Sequence, residues 1–562
     1  MKKRVIALDE SRAFAALSGD HNPMHVDPVY ARRLLFGKPV IHGVYLVLWG
    51  LNEALETRSR LLSLAVAFNA PVLVGSAAEL VVEKPAGGSA TITVRDSDGN
   101  AATTISFAAS VGERSMHQIR NRGYARDLGL SRSKKLNWAR DKRRNRSALS
   151  SRRLSLSPQS RRRYRALSGE NSSRFWISTW MPSGSHRKPG IQNYQNLFEG
   201  SRLWRRTPSP EQDWVQAPPR ESCSEPTERE LASGSSEFDL GFEPQQLEKI
   251  FPALSEKLPP DQIAALLACT RLVGMKCPGL NSIFKDLKLS FSGNEKNLAD
   301  SLLHWQVMRY ERRFRMMDLQ IQAPGMTGTI KAFVRPPPAK QPEFANIKKT
   351  VEPGLFADQH ALIAGGSRGL GELAAKLLAA GGAQVILTYH RGREDAERVA
   401  AEIGANASTA ALDINNLNES AIKDYLPNKR CLTHLYYFAT PHIKGSAKGR
   451  FSKQLFDTNY EYFITGFARL VAALKPFAVE SGLRIFYPSS VFVEDVPYNM
   501  GEYAAAKAAG EVYCHYMAAN DRRLKFHIAR LPRMQTDQTA SLLPQDYADS
   551  LNILLGSLKK LV

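Results

Sequence analysis

Between residues 113 and 220 the chain lacks the material of a hydrophobic core, and that gap constrains how everything around it can fold. These 108 residues hold 21 Arg and 4 Lys against 7 acidic residues, a net of +18, with only 15 Leu, Ile, Val or Phe, about 14%. Below roughly 20% of such residues, burial cannot offset the entropy of ordering a chain. The formal charge of +22 therefore leaves only +4 for the remaining residues, so the basic character is local and says little about their partners. Elsewhere the composition is that of globular domains, since the whole chain is 43% hydrophobic and 23% charged. No run of about 18 apolar residues exists, and Met1-Lys2-Lys3-Arg4 is followed by only Val5 to Leu8 before Asp9. The expected location is the cytoplasm, with no membrane partner. The five cysteines are scattered without a CxxC, so neither a disulfide framework nor a metal site is expected.

The flanking sequence divides into recognisable patterns. Residues 1–110 read as a small α+β domain with a helix near Ser11 to Leu17, an apolar helix from Val44 to Leu55, and strands over Leu62 to Phe68, Ala77 to Glu83, Ala90 to Arg95 and Ala102 to Ala108. The basic insert is bounded at 111–236. Residues 237–337 repeat a similar order, with a helix over Pro260 to Val273 and strands near Met317 to Gln322 and Gly328 to Val334. A Pro-rich linker spans 338–357. From residue 358 to 562 apolar strands alternate with Ala-rich helices, the pattern of a doubly wound parallel sheet.

The first chemical constellation is Ser18-Gly19-Asp20-His21-Asn22-Pro23-Met24-His25, where a carboxylate and an imidazole stand five residues apart in a loop of fixed direction. Hydration or dehydration of a double bond beside a thioester carbonyl needs a base, an acid and a donor to the enolate oxygen. Asp20 and His25 fit the first two roles. Pro39-Val40-Ile41-His42-Gly43 opens the apolar helix, so the Gly43 amide at the helix N-terminus fits the third. These segments resemble the MaoC-like (R)-specific enoyl-CoA hydratase or 3-hydroxyacyl dehydratase family, which has a hotdog fold. The resemblance implies that Asp20 and His25 are the catalytic pair, that Asn22 orients the loop, and that Gly43 contributes to an oxyanion hole. One departure is that the helix after His42-Gly43 is almost wholly apolar, where some members carry a hydroxyl. In the second half, Gly274-Met275-Lys276-Cys277-Pro278 keeps the Gly-x3-Pro spacing, but Met275 stands where Asp20 does and Leu280 where His25 does. It looks like the degenerate half of a double hotdog.

The second constellation follows a strand over Ala361 to Ala364. Gly365-Gly366-Ser367-Arg368-Gly369-Leu370-Gly371 leads into an Ala-rich helix, and bare backbone there lets a pyrophosphate approach the helix N-terminus. The next strand ends in Tyr389-His390-Arg391 rather than an acid, which favours NADP over NAD. Asp413 follows the third strand. Tyr503 and Lys507 lie four apart on one helix face, where the ammonium would favour the phenolate, with Ser490 upstream to hold a carbonyl and Asn459 to anchor a relay water. These residues resemble the short-chain dehydrogenase/reductase family, with its tetrad represented by Asn459, Ser490, Tyr503 and Lys507. The resemblance implies contact with NADP(H) through Gly365, Ser367, Arg368, Gly369, Leu370, Gly371, His390, Arg391, Asp413, Ala439, Tyr503 and Lys507.

Together the two resemblances imply a multifunctional enzyme of fatty-acid or polyketide-like metabolism. A 3-oxoacyl thioester on ACP or CoA would be reduced to the (3R)-hydroxyacyl form and then dehydrated to the enoyl form, or the reverse. Reductases of this fold commonly associate, so a homo-oligomer is expected. Two alternatives accompany this reading: the insert breaks the hotdog region and only the reductase works, or residues 113–220, whose Arg clusters interleave with aromatics, bind nucleic acid or an acidic carrier. The insert also reads as translation out of frame or as a solvated linker, and nucleic acid is not the expected partner.

Overall fold

The computed structural model describes residues 1–83, 89–111, 221–292, 301–426, 431–446 and 450–562. The basic stretch 113–220, with every reading attached to it, lies outside the described residues.

The first lobe runs β1 (Lys2–Val5), α1 (Leu8–Ser18), α2 (Pro23–Val26), α3 (Pro28–Ala31), α4 (Gly43–Ala54), β2 (Ser59–Phe68), β3 (Ala77–Glu83), β4 (Ser89–Arg95) and β5 (Ala101–Val111). Gly19 ends α1 in the left-handed conformation, φ 73°, turning the chain into the Asp20 loop. Helix α4 is apolar on every side because sheet and neighbouring helices cover it; Val44 through Leu51 are all buried. Strand β4 alternates buried and half-exposed residues, as a strand with one core face must.

The second lobe runs α5 (Glu228–Ser233), β6 (Ser235–Asp239), α6 (Pro244–Ile250), α7 (Leu254–Lys257), α8 (Pro260–Arg271), a π-turn over Leu272–Lys276, β7 (Ser282–Phe291), β8 (Leu302–Glu311), β9 (Met316–Ala323) and β10 (Met326–Val334). Residues 221–236, assigned above to the insert, belong instead to this lobe: Ser224 N–H donates to Met275 O and β6 pairs with β8. The two lobes form one ten-stranded sheet in the order β1-β3-β4-β5-β2-β7-β10-β9-β8-β6, in which each half mirrors the other. Antiparallel pairing of β2 with β7, from Ser63↔Ser290 to Ala67↔Asp286, makes the join. An insert that holds the halves apart is thereby ruled out for this structure, and one core cluster runs through both lobes.

The segment 338–357 is not a free tether. It carries α9 (Phe344–Ile347), and Phe344, Ile347, Val351 and Phe356 are buried in the core of the domain that follows. That domain continues with β11 (His360–Ala364), α10 (Gly369–Ala380), β12 (Gln384–Tyr389), α11 (Arg393–Ile403), β13 (Ala407–Ala411), α12 (Glu419–Tyr425), β14 (His434–Tyr437), α13 (Lys453–Tyr460), α14 (Phe467–Leu474), β15 (Leu483–Ser490), α15 (Gly501–Asn520), β16 (Leu524–Leu531) and α16 (Ser550–Leu558). Its strands are all parallel in the order β13-β12-β11-β14-β15-β16, with one core cluster on each face of the sheet. Strand order reverses between β11 and β14, and a crevice at such a reversal is where these sheets take ligands. Among the described residues no helix is long and apolar enough to cross a membrane.

Candidate active sites

The loop after α1 folds so that its polar groups converge. Asn22 caps α2 by accepting from Met24 N–H, while its side-chain amide donates to Gly274 O and Gly279 O at 3.0 and 3.2 Å. The signature asparagine thus clamps its loop to the second lobe. Asp20, His25 and His42 are buried, and one ligand-type atom of each lies within 4.8 Å of the others. His25 Nδ1 lies 2.6 Å from Val40 O, a contact that requires N–H there and leaves the Nε2 lone pair open. Burial raises the proton affinity of the Asp20 carboxyl and lowers that of His25, while each charge would favour the other. The two shifts favour a neutral carboxyl and a neutral imidazole. Gly43 is the first residue of α4, behind the N-cap His42. A Cβ there would stand 2.6 Å from the Phe68 ring, so any side chain at this position must displace that ring.

In the parallel sheet, the glycine turn between β11 and α10 is closed to side chains on its inner faces. A Cβ at Gly365, φ 79°, would stand 2.9 Å from Ala439 N, and one at Gly371 would stand 2.1 Å from Gly365 O. At Gly369, φ 60°, the nearest atom is Thr536 Cγ2 at 3.7 Å. Bare backbone therefore fronts the start of α10, and a dinucleotide pyrophosphate fits it. Ser367 is buried in the turn, with Leu370 in the first turn of α10. His390 Nε2 turns toward Asp413 Oδ2 at 3.5 Å, and Arg391 is exposed.

Tyr503 and Lys507 lie on α15, and Asn459 is buried on α13, which packs against it. Ser490 ends β15 and hydrogen-bonds the Tyr503 side chain. The expected depression of the Tyr503 pKa by Lys507 is not found. Burial pushes Tyr503 up to about 12, opposed by Ser490, and pushes Lys507 down to about 7. Burial dominates both groups, and Lys507 Nζ is engaged elsewhere, donating to Pro488 O at 2.6 Å and sitting over the Phe463 ring at 3.9 Å.

Residues 1–103 match the family described as MaoC like domain, and residues 359–542 match short chain dehydrogenase. The chain joins a MaoC-like domain to a short-chain dehydrogenase domain. The (R)-specific enoyl-CoA hydratase of Aeromonas caviae is 38% identical over 78 residues, 13% of this chain and 58% of that protein. The 3-hydroxybutyryl-CoA dehydratase of Methylorubrum extorquens is 36% identical over 87 residues, 14% of this chain and 54% of that protein. The chain thus spans little more than half the length of these relatives. A short chain dehydrogenase from Burkholderia cenocepacia J2315, solved in complex with NADP, is 24% identical over 35% of this chain and 88% of that one, with a TM-score of 0.31.

In the MaoC-like domain, sequence reasoning missed two side chains. Thr270, on α8 of the second lobe, donates to Asp20 Oδ2 at 2.7 Å. The Asp20 carboxyl thus takes a hydroxyl partner from the helix that faces α4. His42 stacks on His25, with ring centroids 3.8 Å apart, and its Nε2 lies 3.0 Å from Asp20 O. Only the pairing of α8 with α4, which no local pattern encodes, could have pointed to Thr270.

Proposed function

We propose that the chain is a bifunctional acyl-thioester enzyme. The short-chain dehydrogenase domain reduces a 3-oxoacyl group on CoA or ACP to the (3R)-hydroxyacyl form using NADPH. The MaoC-like domain, completed by a second hotdog half that has lost its own acid-base pair, interconverts that product with the trans-2-enoyl thioester. The observation that carries the reading is the buried Asp20–His25 pair closed by Thr270, with Gly43 at the start of α4, on the same chain as Ser490, Tyr503 and Lys507.

Bound NADPH supplies the hydride. The glycine turn, with Ser367, Arg368, Leu370 and Ala439, would hold the dinucleotide, with Asp413 toward its adenine. Ser490 holds the substrate carbonyl, and Tyr503, which keeps its proton at neutral pH, delivers it to the carbonyl oxygen. Lys507 orients the bound ribose, and Asn459 anchors a proton relay. In dehydration, a pair that shares a single proton between the Asp20 carboxyl and the His25 imidazole can take the C2 proton and protonate the departing hydroxyl. The Gly43 amide steadies the thioester oxygen as it gains charge. Exposed Tyr460, Val512 and Tyr516 on α13 and α15 support association of copies through that face.

NADPH oxidation against a panel of 3-oxoacyl thioesters tests the reductase half; consumption with at least one chain length is expected, and none with any sinks it.

A further inference from the structure

The loop after β12 is where a doubly wound sheet meets the ribose 2′ position, and it carries two basic side chains of its own, His390 and Arg391. His390 faces Asp413 and Arg391 is exposed. The guanidinium groups packed at that place come from two other segments. Arg32, at the end of α3 in the MaoC-like domain, lies against Gly392: a Cβ built on Gly392 would stand 2.5 Å from Arg32 Nη1. Arg368 of the glycine turn donates to the Arg32 carbonyl at 3.1 Å. Arg32 therefore touches both the loop after β12, through its side chain, and the glycine turn, through its backbone carbonyl. Arg33, beside it, joins Arg32 in pairing with Asp395, in the first turn of α11.

Arg32 and Arg33 pair with Asp395, and Arg368 pairs with Asp537 at 3.1 Å, while the carboxylates of Glu394 and Asp27 also act on Arg32 and that of Glu372 on Arg33. Arg32 Nε donates to Val29 O and Nη2 to Asp395, while Nη1 has no hydrogen-bond partner among the described residues. Burial lowers the proton affinity of all three arginines, and neighbouring guanidinium groups add to that at Arg33 and Arg368, so an anion bound among them would favour their charged forms. A planar guanidinium with a free edge suits a phosphate monoester.

We propose that Arg32, supported by Arg33, completes the pocket for the 2′-phosphate of NADP(H), so that coenzyme selection by the reductase depends on a residue of the MaoC-like domain. This rests on the reading of the second domain as an NADP-dependent reductase.

The test is calorimetric titration of the full chain with 2′,5′-ADP, 5′-AMP, NADPH and NADH, comparing wild type with Arg32→Gln, Arg33→Gln and Asp395→Asn. Arg32→Gln is expected to weaken 2′,5′-ADP and NADPH by about tenfold or more while 5′-AMP and NADH hold, the loss of one charge-assisted contact. Asp395→Asn, which frees both arginines, is expected to keep the preference for the 2′-phosphate. If Arg32→Gln weakens all four ligands alike, or leaves the ratios unchanged, the contact is a tether between domains and the inference is overturned. Wild type that binds none of the four overturns the inference and the reductase reading together; wild type that binds NADPH with unaltered selectivity in Arg32→Gln overturns the inference alone.

Discussion

Thr270 Oγ1 donates a 2.7 Å hydrogen bond to Asp20 Oδ2, joining residues 250 positions apart that lie on opposite lobes of one sheet. The second lobe, in which Met275 and Leu280 stand at the spacing of Asp20 and His25, thus enters the site of the first through a hydroxyl. Replacing Thr270 by Val keeps the shape and removes the donor. Hydration of a crotonyl thioester should fall about tenfold or more, with little change in thermal stability and with recovery in Thr270→Ser. An unchanged rate in Thr270→Val would leave the hydroxyl without a role.

Gly274 gives a sharper steric test of the same junction. A Cβ there would stand 2.1 Å from Asp20 Oδ1 and 2.5 Å from its Cγ, so Gly274→Ala must displace the carboxylate. We expect loss of most hydratase activity, with the reductase rate unaffected. Equal hydratase rates in variant and wild type would mean that Asp20 does not need its observed position.

Lys507 should leave a signature in the pH dependence of stability. Its folded pKa of about 7 lies below the ordinary 10.5, so between these values the unfolded chain binds the extra proton. The burden on the folded state is full below about pH 7 and fades as pH rises toward 10. The melting temperature of Lys507→Met minus that of wild type should therefore shrink across that range. A difference independent of pH would mean that Lys507 is not buried as a cation.

Tyr503, held near 12 by burial, stays protonated throughout the working range and can serve as the proton donor in reduction without prior titration. Tyr503→Phe should lower the reductase rate by about 10²-fold or more while NADPH still binds, read by calorimetry beside the rate. Retained turnover would move the proton source elsewhere.

Much of this was legible in the sequence because its signals are local. The Gly365 to Gly371 turn, the Tyr503–Lys507 helix spacing and the Asp20 to His25 loop each depend on neighbours within a few residues. Strand β7 was missed for the opposite reason. Lys285, Asp286 and Lys288 give it a polar look, yet it is the strand that pairs with β2 and joins the lobes. Residues 221–236 were misassigned because their polar composition continues that of the preceding stretch, while their place is set by Met275 and β8. The effect of Lys507 on Tyr503 was misjudged because four residues on a helix fix adjacency but not burial, and burial dominates both groups.

The most direct measurement of the central claim is product analysis after the full chain is mixed with NADPH and acetoacetyl thioester. The account predicts that wild type yields both the (3R)-hydroxybutyryl and crotonyl thioesters, and that Asp20→Asn consumes NADPH at the wild-type rate but stops at the hydroxy product. Crotonyl thioester formed equally well by Asp20→Asn, or NADPH consumed by wild type with no enoyl product, would contradict it.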